Sequence, residues 1–169
     1  MEDLSRYLNE FVDPTIRDFE RNPRSVRHAF LAYVATFHSV DYLAYPRKAQ
    51  ALRQDWSRRS PEFALVDRIA HAFKHVVSGS PASPHKKPLR SGDVIERPPA
   101  FWGNLEWGLS RWGDAIGGIT LNDERDVDLL DVVKRAAEFL RREPLRHPSP
   151  GSRREHNRQW RSDRMWPAA

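Results

Sequence analysis

Arg68, His71 and His75 stand in one stretch, residues 60–78 (SPEFALVDRIAHAFKHVVS), at spacings of three and four. On a helix such spacings bring side chains to one face, with residues 68 and 75 about 20° from eclipsed and roughly 10 Å apart along the axis. An arginine offers a permanent cation for a phosphate, and a histidine moves a proton near neutral pH. Together they are the minimum set for cleaving RNA without a metal, because the ribose 2′-hydroxyl is itself the nucleophile. Arg68 and His75 are therefore the candidate catalytic pair. His71 and Lys74 stand beside them as supporting residues, joined by His38 and Asp41 from an earlier segment.

Two other chemistries compete for the same residues. Asp67, His71 and His75 recur every four positions and, with His38 and Asp41, could hold a metal between two helices. Three ligands on consecutive turns of one helix spread too far to converge, so such a site needs two of them plus the other helix. No metal and no other cofactor is the expectation. The remaining alternative is a solvated face, the usual state of the outward side of a surface helix. His28 and His85 have no comparable company and read as surface residues.

The elements that must position these groups are helical. Ser60 is a cap, Pro61 fits the first helical position, and Glu62 suits the positive end of the helix dipole. Phe63, Val66, Ile69, Ala70, Phe73, Val76 and Val77 then fall on one arc, opposite Asp67, Arg68, His71, Lys74 and His75. Gly79 is the natural end of this helix.

Before it, residues 3–21 read as a helix that restarts at Pro14. Asn22 and Pro23 open a long helix to about residue 45, and a polar one follows to about residue 58, with Ala49, Leu52 and Trp56 as its seam. Asp41 falls inside the apolar arc of the long helix, and a buried carboxylate needs a partner. The cations best placed are Arg68, Lys74 or an ionised His75, which would put Asp41 and His38 in one cleft with Lys74 and His75.

Residues 79–100 are rich in Pro, Ser and Gly without periodicity and read as a long loop. Trp102, Trp107 and Trp112 each precede a glycine. A five-residue spacing cannot put them on one helix face, so they are expected to cover an edge of the core where the backbone turns. Base stacking is the other role open to them. Residues 117–121 form a short strand, Asp126 or Asp128 caps the next helix, and Leu129, Val132, Val133, Ala136, Phe139 and Leu140 line that helix to about residue 142.

The fold expected is all-α, a four- to five-helix bundle over residues 1–143 with a small β element before the C-terminal helix. A disordered Arg-rich tail follows at 144–169. The net charge is +5. Six Arg against Glu155 and Asp163 place +4 of it in that tail, leaving about +1 for the body. A basic tail of this kind holds phosphate chains by counterion release or simply stays solvated.

With 169 residues and 39% hydrophobic content the chain closes one core. It has no cysteine, which excludes a disulfide scaffold, cysteine zinc ligands and a thiol nucleophile, and fits a reducing compartment. Residues 1–10 carry acids where a signal peptide carries a basic start, and no apolar run is long enough to span a bilayer. A cytoplasmic protein without a membrane partner is expected.

Two local patterns resemble a group of small bacterial helical proteins similar to the HEPN superfamily. The first is an aromatic residue, His, two spacers, Asp and an aromatic (Phe37, His38, Asp41, Tyr42), and the second is Ala-x-Ala-x-Lys-His (Ala70, Ala72, Lys74, His75). The resemblance covers mainly residues 23–78. It implies a helical bundle, frequently dimeric, acting as a metal-independent ribonuclease or toxin component, with an Arg, four to six spacers and a His at a site formed across the dimer. Arg68, six spacers and His75 fit that pattern, while Asp67 and Arg68 stand in the opposite order from the usual one and His71 replaces an Asn. RNA, a cognate antitoxin or other protein, and a second copy of the chain are the partners implied. The alternative is a non-enzymatic helical module that binds protein or nucleic acid.

Overall fold

The computed structural model describes residues 2–78, 88–103, 105–108, 110–122 and 127–143, and the chain is mostly α-helical. Helix α1 (Glu2–Tyr7), a π-helical turn (Leu8–Val12) and α2 (Asp13–Arg21) follow one another without leaving helical backbone angles. A new α-helix does start at Asp13 with Pro14 in its first turn, but the restart is a change of helix type and not a break in the chain's helical course. A π turn carries one extra residue per hydrogen-bonded ring, and placed just before the proline it accommodates the ring and the missing N–H that would break an ordinary α-helix.

Helix α3 (Val26–Ala44) begins later than Asn22 and Pro23 suggest. Asn22 instead closes α2, its side-chain amide donating to the Asp18 carbonyl at 2.9 Å. Ser25 is the cap of α3, accepting from the His28 amide at 3.4 Å. Asn can serve either end of a helix, so its presence alone does not say which. Helix α4 (Gln50–Arg59) follows a cis Tyr45–Pro46 bond.

Helix α5 (Pro61–His75) starts as the sequence leads one to expect, with the Ser60 hydroxyl accepting from the Phe63 amide at 3.0 Å. It ends before the expected glycine: Val76 takes a φ of +68° and turns the chain into strand β1 (Val77–Ser78). Gly79 and the rest of residues 79–87 lie outside the described residues, as does His85.

Part of the stretch expected as a loop is ordered β structure. Strand β2 (Leu89–Arg90) pairs antiparallel with β1, a 3-10 turn (Ser91–Asp93) follows, and β3 (Val94–Arg97) pairs antiparallel with β4 (Gly118–Leu121). Val94 stands opposite Leu121 and Arg97 opposite Gly118. Strands of two to four residues are too short to show alternation, which hides them from a periodicity reading. Helix α6 (Leu129–Arg142) is capped by Asp128, whose carboxylate accepts from the Leu130 amide at 2.9 Å.

The core lies among α2, α3, α5 and α6 and is closed by β4. Phe19, Tyr33, Trp56, Phe63, Ile69 and Leu140 are fully buried in it. The Tyr33 hydroxyl donates to the Leu129 carbonyl at 3.0 Å, tying α3 to the start of α6. Burial, then the Asp128 charge, pushes that phenol well above its ordinary pKa. Trp56 meets Phe63 edge to face at 5.2 Å, so the seam read on α4 does seat it against α5.

Charged groups close the periphery. Arg59 grips the buried Glu143 carboxylate, with Nη1 donating to Oε2 at 2.7 Å, and this fastens α4 to the end of α6. Lys134 meets Glu20 at 2.7 Å, and Arg141 pairs with Asp13. The basic tail at residues 144–169 falls outside the described residues.

Candidate active site on helices α3 and α5

Helix α5 inserts Phe63, Val66, Ile69, Ala70 and Ala72 into the core. The same geometry leaves Asp67, Arg68 and His71 half-buried along its flank and Lys74 and His75 exposed at its C-terminal end. Four of the sequence-derived site residues therefore share one side of one helix, as their spacing requires.

His71 is the most constrained of them. Its Nδ1 lies 2.8 Å from the Asp67 carbonyl oxygen and 3.3 Å from the Asp67 carboxylate. A carbonyl only accepts, so Nδ1 carries the proton and, in the neutral ring, Nε2 presents its lone pair outward. Asp67 is itself held from α4, with Arg53 Nε 3.5 Å from its carboxylate. The His75 ring sits 6.0 Å from the His71 ring. The result is an oriented imidazole with a second, freely exposed imidazole beside it.

Packing of α3 against α5 supplies the other wall. The Phe37 ring meets His71 at 5.0 Å and His38 at 5.2 Å, edge to face in both cases. Phe37 thus stands between the two histidines. The helices lie side by side as expected, but Asp41 does not reach α5. Its carboxylate is exposed and is 3.0 Å from His38 Nδ1, three residues back on its own helix. Neighbours at that spacing meet on a helix surface without help from a second element, which removes the need for a cation from α5.

Asp41 borders a different hollow, an open groove of about 640 Å³ between Arg6, Tyr7 and Phe11 on one side and Asp41, Tyr42 and Tyr45 on the other. Tyr7 stacks on Tyr42 at 4.0 Å and on Phe11 at 5.3 Å. Its hydroxyl donates to the Ala35 carbonyl at 3.0 Å. Burial, then the Tyr42 and Asp41 charges, pushes the Tyr7 pKa up to about 12, so it stays a neutral donor.

The Asp67–His71 partnership and Arg53 are the parts of the α5 site that the sequence does not reveal. Asp67 and His71 are visible there as a four-residue pair, but as common ligands of a metal instead of partners for each other. Arg53 belongs to another helix, and no local pattern marks it. Among the described residues no three His, Asp or Glu side chains are placed to hold a metal, and no helix is long and apolar enough to cross a membrane.

The tryptophans differ most from expectation. The Trp-Gly pairs do turn the backbone, yet Trp102, Trp107 and Trp112 are 95%, 92% and 81% exposed and cover no part of the core. Comparison with known proteins finds no match to a family model, a curated protein or a solved structure.

Proposed function

We propose that this chain is a HEPN-like, metal-independent ribonuclease or toxin component, acting through the exposed flank of α5. The observation that carries the reading is the orientation of His71 by Asp67 with a second imidazole, His75, 6.0 Å away ring to ring. An Nε2 lone pair aimed outward suits removal of the 2′-hydroxyl proton, and the 2′-oxygen then attacks phosphorus. A protonated His75 delivers a proton to the departing 5′-oxygen, leaving a 2′,3′-cyclic phosphate and a free 5′-hydroxyl. Arg68 neutralises charge on the phosphate as the fifth bond forms. Lys74 adds a second positive group at the same end of the helix, and His38 stands on the far side of Phe37.

Arg68 and His75 stand two turns apart on one helix, roughly 10 Å, which is too far to grip a single phosphate. Two copies laid together along α5 bring Arg68 of one near His75 of the other, so a homodimer is the working form. A protein that masks this face is the antitoxin such a toxin requires.

The test is cleavage of a labelled RNA by the full chain in excess chelator. His75→Ala and Arg68→Ala should each lower the rate about 100-fold or more with no change in melting temperature. Cleavage that needs added metal, or that both variants perform at the wild-type rate, ends this reading. The alternative, a non-catalytic binding module, draws on the three exposed tryptophans and predicts binding without cleavage.

A further inference from the structure

The end of α5 holds a residue in a conformation that neither its type nor its packing favours. Val76 takes a φ of +68° and a ψ of −31°, a backbone region in which a β-branched side chain is a genuine outlier. Strain of this kind persists where the surrounding structure over-determines the residue. Packing does not do so here, because the Val76 side chain is 66% exposed. Backbone hydrogen bonds hold it instead. The Ser91 amide donates to the Val76 carbonyl at 2.9 Å, and β1 pairs with β2 at Val77 opposite Arg90 and Ser78 opposite Leu89.

The same residues are suited to a second conformation. Val76 and Val77 lie on the apolar arc that α5 carries from Phe63 onward, so a helix continued through Ser78 would keep them on its inner side. The neighbouring surface fits them. Phe37 meets His71 and Phe30 meets Phe73, the second pair at 5.1 Å, so α3 and α5 pass each other in opposite chain directions. One further turn on each helix brings Val26 of α3 toward Val77 of α5. Val26, Phe30, Val76 and Val77 are all exposed, and an added turn of α5 would cover them with one another.

Each conformation satisfies the backbone in its own way. The strand uses the β2 pairing and the Ser91 amide, whereas the helix would bond the Val77 and Ser78 amides to the carbonyls of Phe73 and Lys74. Against the added apolar contact stands Ser78, which is buried beside β2 and would give up that place. Valine serves either form, since branching at Cβ favours strands and costs a helix little. Ten residues, 79–88, join Ser78 to Leu89. A segment of that length reaches up to about 33–36 Å, so moving Ser78 by one turn leaves the connection intact.

We infer that residues 76–78 are a two-state joint, a strand in the major form and a further turn of α5 in a minor one. The joint adjoins His75. In the helical form Ser78, three positions on, stands beside that imidazole; in the strand form the chain turns away directly after His75 and leaves it exposed. The joint thereby regulates the exposed end of the α5 site. That consequence rests on the ribonuclease reading, and the joint itself does not.

The experiment is chemical-exchange saturation transfer NMR on the full chain labelled with carbon-13 and nitrogen-15. No RNA is present, so its failure is distinct from a failure of the ribonuclease. The wild type should show a minor form at Val76, Val77 and Ser78, populated at about 0.1–10%, with Cα shifts displaced to helical values. Val76→Gly relieves the strand form and weakens the helical one, so it should lower the minor population about tenfold or more and slow hydrogen exchange of the Ser91 amide. Val76→Leu leaves a Cβ at the strained angle and favours helix, so it should raise that population. Val26→Ser removes apolar surface that the added turn covers and should lower the population while the bonds of the strand form stay as they are.

A single conformation at residues 76–78 in the wild type, strand or helix, overturns the joint. A minor form with random-coil Cα shifts also overturns it, because that is fraying and not a second packed state. So does a Ser91 amide that exchanges at the same rate in Val76→Gly as in the wild type.

Discussion

Replacing Arg97 should unfasten the β3–β4 unit from α6. Arg97 is only 3% exposed, and its guanidinium joins two acids from distant positions. Nε donates to Asp114 at 2.9 Å and Nη2 to Asp128 at 2.8 Å. Asp128 uses its other oxygen to cap α6. In Arg97→Met the apolar stem is kept and the charge removed, which leaves two largely buried carboxylates side by side without their common cation. Removing one partner from a buried pair costs about 3–5 kcal/mol. For a domain of this size each kcal/mol lowers the melting temperature by about 2–4 °C, so a fall of about 6–20 °C is expected.

Arg97→Lys keeps the charge but cannot bridge both acids, and should fall between the two. Calorimetry at neutral pH reads the shift, and the double variant with Asp114→Asn should lose less than the two single losses combined, since both remove one interaction. A drop of under about 2 °C in Arg97→Met, or full additivity in the double variant, would refute the clamp.

Two further outcomes follow from the same region. Burial alone would raise the Asp114 pKa, but the Gly117 amide, the Arg97 side chain and the Ile116 amide together hold it below its ordinary value near 3.8. A carboxyl lowered in the folded state contributes stability that is complete above its unfolded pKa and lost as pH falls through the folded one. The difference in melting temperature between wild type and Asp114→Asn should therefore be constant near neutrality and shrink below about pH 4. Gly117 has a φ of +76°, and a Cβ there would lie 2.4 Å from the Arg97 carbonyl oxygen and 2.9 Å from the Pro99 nitrogen. Gly117→Ala should cost at least about 2 kcal/mol in denaturant unfolding. Gly103→Ala, whose Cβ would meet nothing within 4 Å, should cost only about 1 kcal/mol from its backbone angle.

Helix α5 and helix α6 are legible in the amino-acid order because what makes them is local. Ser60 followed by Pro61 and Glu62 marks a start within four residues, and the apolar arc of Phe63, Val66, Ile69 and Ala70 declares which side is buried. Asp128 before a run of Leu and Val does the same for α6. The placement of Arg68, His71, Lys74 and His75 on one flank follows from helical geometry alone. By contrast, the Asp41 arc position suggests burial, and only the packing of Phe37 against α5 and of Tyr42 against Tyr7 decides that Asp41 faces water beside His38.

The β3–β4 pair, the junction of Arg97 with Asp114 and Asp128, and the exposure of the three tryptophans belong to the tertiary structure. They join residues 17 to 31 positions apart, with no periodicity between them to read. A tryptophan beside a glycine announces a turn in either case. Whether the indole then lies over a core or out in water depends on where β3 and β4, on either side of it in the chain, are seated. Order along the chain determines what each segment prefers. Which segments meet is set by hydrogen bonds and buried surface between elements that are remote in sequence, and those exist only once the chain is folded.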